Sequence, residues 1–349
     1  MESPSTMRIA QEIPVAGGQK FQVDRFRPAD ASGIANLYYA VYGPDYPFET
    51  YYIPDRIRAE NHSGNIHSVV ARTPAGDIIA HGALYRSSPP FGNLYELGQY
   101  LVLKNYRDTF AAFKINQYIA ETLIPQVRPA GIFGEAVCSH VATQKASALM
   151  GMKGAALEAD LMPAEVYARE KSTPGRVSCL IQFRSFADRP HEVFIPAAYR
   201  EQIEYILSDL EISRTMTPAP EAMAPDGQGE TTVKFFPHAG VARANILQAG
   251  GDFEPVVARL EQEAQEQGLV VLQVFLSLGS PGVGRAVENL RRRGFFFSGY
   301  LPRWFDTDGL LMQKLSGPPH WEGIQLFEAK AGRILEMVQD DWEKTQLRS

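Results

Sequence analysis

The chain has 349 residues, 45% of them hydrophobic and 21% charged, with a formal net charge of −6. This is the composition of a globular protein with apolar material for about two cores. The acidic balance excludes a nucleic-acid binder, which needs a clustered excess of Lys and Arg to neutralise phosphates.

Residues 1–20 read as a flexible arm. "FQVDRFRPAD" follows as a strand running into a helix, with Asp30 placed to cap "ASGIANLYYAVYG". Ile34, Leu37, Tyr38 and Val41 give that helix one apolar face, and Gly43 and Pro44 end it. "HSVVART-PAGD-IIAHGALYR" is a strand, a turn and a strand. "NLYELGQYLVL" is a third strand. "TFAAFKINQYIAETLI" is a helix whose Phe110, Phe113, Ile115, Tyr118, Ile119 and Leu123 are expected mostly on one side.

"GIFGEAVCS" is a further strand, "VATQKASALMGM" a short helix, and "AALEADLMP" and "VSCLIQFRSF" closing strands. The fold class is therefore α/β (α+β): a mixed, mostly antiparallel central sheet flanked by helices. Residues 21–190 form one domain, and 191–230 a connecting helix and linker whose "MTPAPEAMAPDGQGE" is rich in Pro, Gly and acidic residues. Residues 231–349 form a second domain with a C-terminal helix. Its strand, helix, Gly plus large apolar residue, strand plan, in "VVLQVFLSL…GRAVENLRRRGFFFSGYLPRWF", parallels "IFGEAVCSH…ATQKASALMGMKGAALEADLMP".

The stretch "YELGQYLVLKNYRDTFAAF" sends a strand almost directly into a helix. The first amides of such a helix lack partners and, with the macrodipole, form a site for an anion if bulky side chains do not screen them. This stretch resembles the coenzyme A loop of the Gcn5-related N-acetyltransferase superfamily: an apolar strand, two or three residues, then Arg or Gln, x, x, Gly, x, Gly or Ala. Here the motif reads Arg107, Asp108, Thr109, Phe110, Ala111, Ala112. The likeness extends over about residues 21–186. It implies an acetyltransferase-like fold, with the second domain a truncated relative, and acetyl-CoA as co-substrate.

Carried over, Leu101, Val102 and Leu103 would pair with the pantetheine arm, and Arg107, Asp108, Thr109, Phe110, Ala111, Ala112 and Phe113 would cradle the diphosphate. Phe110 stands where the family has glycine, Asp108 departs from the usual second glycine, and Lys104 stands where proline is common. The phenyl ring of Phe110 has room to turn into the core beside Phe113, and Asp108 is a natural N-cap. The family's frequent acid tyrosine, four residues before the glycine of its Gly–aromatic pair, corresponds to Ser147, with Met152 in the aromatic place.

Acetyl transfer needs a base for the amine. Glu96, between Tyr95 and Leu97 on the strand, is one candidate; a salt-bridged strand glutamate is the alternative. His140, at a strand end, is either base or substrate contact, or a helix cap. The resemblance implies that the segment with Tyr42, Tyr46, Tyr51, Tyr52, Asp45 and Glu49 shapes the acceptor pocket, where it would suit a cationic amine with Tyr46 and Tyr51 as substrate contacts; the alternative is a loop packed by its own rings. Cys138 and His81 read as packed residues.

Near the C-terminus "GSPGVGRA" imitates a nucleotide loop, but Arg285 and Ala286 replace the Lys and Ser or Thr that phosphates and magnesium require. Two cysteines, Cys138 and Cys179, cannot build a disulfide scaffold and suggest a reducing, cytoplasmic setting. Nothing approaches the roughly 18 apolar residues of a membrane helix, the N-terminal stretch lacks a signal-peptide core, and no Cys/His cluster suggests a metal. The expected partners are a small-molecule or protein amine acceptor, with no nucleic acid or membrane, and a homodimer is compatible. The rival expectation is a non-catalytic ligand-binding or regulatory protein on a degenerate acetyltransferase scaffold.

Overall fold

The computed structural model describes residues 14–44, 46, 48–163, 175–220 and 228–347. Asp45, most of the expected N-terminal arm and 221–227 of the expected linker lie outside them. The chain forms two compact units, one of residues 1–87 and 95–129, the other of 88–94 and 130–349. Residues 191–230, read from sequence as a connection, fall within the second unit.

The first unit holds β1 (Gln22–Arg25), α1 (Ala31–Tyr42), α2 (Pro54–Ser63), β2 (Ile66–Arg72), β3 (Ile78–Tyr85) and, from Tyr95 on, β4 (Leu94–Val102), then α3 (Ala111–Tyr118). A π-turn over Ile119–Leu123 carries α3 into α4 (Ile124–Val127). The strands lie in chain order, each antiparallel to the last. Ile34, Leu37 and Tyr38 of α1 pack on Val70, Ile78 and Ala83 of β2 and β3, as the apolar spacing of α1 predicts.

Asp30 does not cap α1 through its side chain. Its carboxylate instead accepts the amide of Arg27 at 2.6 Å and both Nε and Nη2 of Arg72 at 2.8 and 2.6 Å. A nearly buried carboxylate gains more from a two-pronged guanidinium than from one amide.

α3 also departs from expectation. Its buried stripe is Ala111 and Ile115, continued by Ile119 and Leu123, each four residues from the last. Phe110 and Phe113 therefore lie on the other side and are 74% and 61% exposed. Neither ring enters the core.

The second unit contains β5 (Gly131–Val137), α5 (Ala142–Leu149), β6 (Lys153–Met162), β7 (Val177–Ser185), β8 (His191–Ile195), α6 (Arg200–Leu207) and β9 (Arg214–Pro218). It continues with β10 (Glu230–Phe236), β11 (Val241–Gln248), α7 (Phe253–Glu266), β12 (Val271–Ser277), α8 (Val283–Arg292), β13 (Phe296–Leu301), β14 (Gly309–Leu315) and α9 (Ala329–Gln346). Its main sheet runs β5-β7-β6-β13-β14-β12-β11-β10, and β8 pairs with β9 separately. β11 and β12 are parallel; the other neighbours in that sheet are antiparallel.

The two similar sequence stretches take the same local course. β5-α5-β6-β7 assembles in the order β5-β7-β6, and β12-α8-β13-β14 in the order β12-β14-β13. Both helices end alike: Met152 N donates to Ser147 O at 3.1 Å, and Phe295 N to Leu290 O at 3.0 Å. β6 and β13 meet where Gly299 lies opposite Ala156. Buried Phe133, Leu157, Phe275, Phe297 and Trp304 fill the core, with Phe275 and Trp304 stacked at 4.8 Å between ring centroids.

Candidate functional site

β4 is the strand on which the candidate site is built. Leu101 and Val102 lie opposite His81 and Ala80 of β3, and Leu103 N donates to Ile79 O at 2.9 Å. One step earlier the register breaks. Gly98 pairs with Ala83 while Leu101 pairs with His81, so Gln99 and Tyr100 together oppose one residue. Gln99 sits at φ 60, the left-handed backbone of a bulge that bends the strand and re-aims its side chains.

The re-aimed Gln99 gathers the tyrosines. Its Oε1 accepts Tyr38 Oη at 2.6 Å and Tyr46 Oη at 2.7 Å. Tyr51 stacks on Tyr38 at 4.3 Å, and Tyr46 on Tyr42 at 4.8 Å. Burial holds the Tyr38, Tyr46 and Tyr51 phenols far above their ordinary value, so they act as neutral donors. Tyr52 Oη donates to Gly43 O at 2.6 Å and accepts Tyr46 N at 2.9 Å, which ties the segment after α1 back to that helix.

His81 lies beneath these rings, fully buried. Its Nδ1 is 3.0 Å from Gln99 O and its Nε2 3.0 Å from Ser68 Oγ. A carbonyl only accepts, so Nδ1 carries the proton and Nε2 accepts from the serine. Burial lowers this imidazole to about 4. Glu96, 8% exposed, accepts a hydrogen bond from Tyr85 Oη. The Tyr85 phenol fixes the Glu96 carboxylate, and an ionised carboxylate so held can accept a proton.

Past β4 a single 3₁₀ turn, Lys104–Tyr106, leads to the loop. Thr109 Oγ1 donates to Tyr106 O at 2.6 Å and receives Ala111 N at 3.3 Å. Phe110 is the N-cap residue of α3 and its side chain makes no capping hydrogen bond; the Thr109 hydroxyl takes the first amide of the helix, and Asp108 does not occupy the capping place expected of it. The residue types suit a diphosphate. Ala111 and Ala112 put only methyl groups at the first turn, the Phe110 and Phe113 rings are exposed rather than folded inward, and Arg107 is exposed beside them.

Glu96, Leu101, Val102, Leu103, Arg107 to Phe113, Tyr46 and Tyr51 all belong to the first unit. His140 belongs to the second, where its carbonyl accepts Gln144 Nε2 at 3.4 Å and its buried Nδ1 has no hydrogen-bond partner among the described residues. Ser147 is nearly buried in α5. Cys138 is buried, and burial pushes its thiol up to about 12, which makes it a poor nucleophile. Gln99 and Tyr85 escaped the sequence reading, and Tyr38 was read only as part of the apolar face of α1; Gly98 inside a strand was the signal for the bulge.

No protein-family model matches the chain, and no curated protein matches it. Over about half its length the chain is similar to solved acetyltransferases. One is the ribosomal-protein-S5-alanine acetyltransferase of Vibrio fischeri, at 11% identity and TM-score 0.38, covering 47% of this chain and 92% of that one. Another is the ribosomal-protein-S18-alanine N-acetyltransferase of Escherichia coli, at 13% and 0.37, covering 48% and 95%. A third, an acetyltransferase from Salmonella typhimurium solved with its cofactor acetyl-CoA, shows 10% and 0.38 over 48% and 94%.

Proposed function

We propose that the protein is an acyl-CoA-dependent N-acyltransferase that moves an acetyl group from acetyl-CoA to an amine, with residues 231–349 a truncated relative of its acetyltransferase-like domain. The observation that carries this reading is β4 itself. A bulge at Gln99 is followed, at Ala111, by a helix start whose N-cap side chain makes no hydrogen bond and whose first two residues are alanines. Acetyl-CoA would supply the thioester. The α3 amides and Arg107 would bind its diphosphate, and Leu101 to Leu103 would order its arm. Glu96 takes the proton that the amine loses as its nitrogen attacks the thioester carbonyl and the thiolate departs. Tyr46 and Tyr51 face the acceptor.

Thermal stabilisation by acetyl-CoA tests the donor site. A ligand near a hundred times its dissociation constant adds about 2.7 kcal/mol to stability. Ala112→Asp, at an exposed position, is expected to abolish the shift and leave the unliganded melting point nearly unchanged. No shift with any acyl-CoA would overturn the reading.

A second reading has its own support. Tyr51 is only 4% exposed and Tyr38 is stacked on it, so the rings that would meet an acceptor already meet each other. On that reading the protein binds its ligand and transfers nothing. Stabilisation by acetyl-CoA without consumption of it in the presence of any polyamine or peptide amine would favour this alternative.

A further inference from the structure

A cavity of about 350 Å³ lies in the second unit, apart from every residue assigned above to acyl transfer. Its walls come from the turn between α5 and β6, the end of β7, the segment after α6 and the segment after β13. Phe183, Met150 and Leu94 make a buried apolar wall, and Leu149 at the same cavity is 87% exposed.

The charge around it runs against the acidic whole. Lys153, Arg184 and Arg303 line the cavity, with Asp209 and Glu211. Asp209 is already taken by Lys330 Nζ. Asp306, the carboxylate that holds Arg303 Nη2, is shared with Arg189 Nη1 at 3.1 Å. Three cations line the cavity with two carboxylates, one of which is already paired with Lys330, in a chain whose formal charge is −6.

Arg303 is the most informative of these groups. Its side chain is 11% exposed, and its guanidinium sits 4.7 Å above the Phe91 ring. Its Nε is buried and has no hydrogen-bond partner among the described residues. Its backbone is left-handed, at φ 54, and its amide is held by Asp308 Oδ1 at 2.7 Å. A buried donor without an acceptor is destabilising. The loop bears that cost and a strained backbone to keep a cation at an apolar cavity.

We propose that this cavity binds a small organic carboxylate with an apolar body. The carboxylate meets the Lys153 ammonium and the Arg184 guanidinium, with the Arg303 charge behind them, and the hydrocarbon lies on Phe183, Met150 and Leu149. A guanidinium edge matches a carboxylate in shape and charge, and apolar walls with a few converging polar groups are the usual make-up of a small-molecule site.

Calorimetry on the full chain with octanoate, octanamide and inorganic phosphate tests this. Octanoate is expected to bind saturably, with octanamide and phosphate each at least about tenfold weaker. Arg303→Gln should weaken octanoate by about tenfold, and Lys153→Gln, which leaves the strained loop untouched, by several-fold. Acetyl-CoA should not compete, and Ala112→Asp should bind octanoate as the parent does, so failure here and failure of acyl transfer are separable. Absence of saturable octanoate binding, equal affinity for octanamide or phosphate, competition by acetyl-CoA, or unchanged affinity in both charge variants would overturn the proposal.

Discussion

Glu96 accepts a hydrogen bond from the Tyr85 phenol, and it is nearly buried on a strand bent at Gln99. Glu96→Gln keeps the shape and an acceptor for Tyr85 but removes the basic site. General-base contributions run to about a hundredfold or more, so kcat is expected to fall by roughly that factor while acetyl-CoA affinity stays as it was. The acid limb of the pH–rate profile should vanish with it. Unchanged kcat in this variant would remove Glu96 from the mechanism. Glu96 was legible in the sequence, because a carboxylate inside an apolar strand is conspicuous. Gln99 was not, because a bulge depends on two strands slipping by one residue, and only neighbouring Gly98 hints at it. Phe110 and Phe113 were misplaced for a related reason. Counting large rings as core residues favoured them, whereas the close approach of the helix selects the stripe headed by small Ala111.

At the scale of elements, strong periodicity was read correctly and weak periodicity was not. α1 and α8 carry clear apolar faces, and the strands of both stretches "IFGEAV" and "VVLQVFL" are almost continuously apolar. α2, "PDRIRAENHS", buries only Ile57 among its residues and gives no pattern; Pro54 at its start and the left-handed Gly64 after it were its only marks. β8 and β9, five residues each, are held partly by Arg214, which pairs with Asp308 across ninety-four positions of sequence, a contact no local signal reveals. The junction of β6 with β13 is equally non-local. Gly299, at φ 147, lies in a bulge of β13, and a Cβ there would stand 2.3 Å from Cα of Ala156. Backbone cannot retreat as a side-chain tip can. Gly299→Ala is expected to cost about 3 kcal/mol and to lower the urea midpoint without changing the slope. A loss under about 0.5 kcal/mol would mean that β13 shifts away from β6 at little cost.

Across the whole molecule, the titrating groups are unevenly distributed. Burial lowers His81 to about 4, and burial with Arg25 and Arg86 nearby lowers His67 to about 4; both are in the first unit. A histidine whose folded value lies below its unfolded one, near 6.5, stabilises fully above pH 6.5 and ceases to do so as the pH falls through 4. Between pH 7 and pH 5, His81 alone withdraws about 2 kcal/mol from the first unit; half-buried His67 acts in the same direction. The chain carries its own reporters. Trp304, Trp321 and Trp342 are its three tryptophans and all lie in the second unit, whereas the packed tyrosines around Gln99 lie in the first. In urea titrations at the two pH values, the tyrosine-absorbance transition should move to lower denaturant at pH 5, and the tryptophan-fluorescence transition should move less. His81→Asn, which keeps a donor for Gln99 O without an imidazole to protonate, should reduce the displacement of the tyrosine transition. If that variant responds to pH as the parent does, the acid sensitivity arises elsewhere and the buried, neutral His81 beneath the rings is not its source.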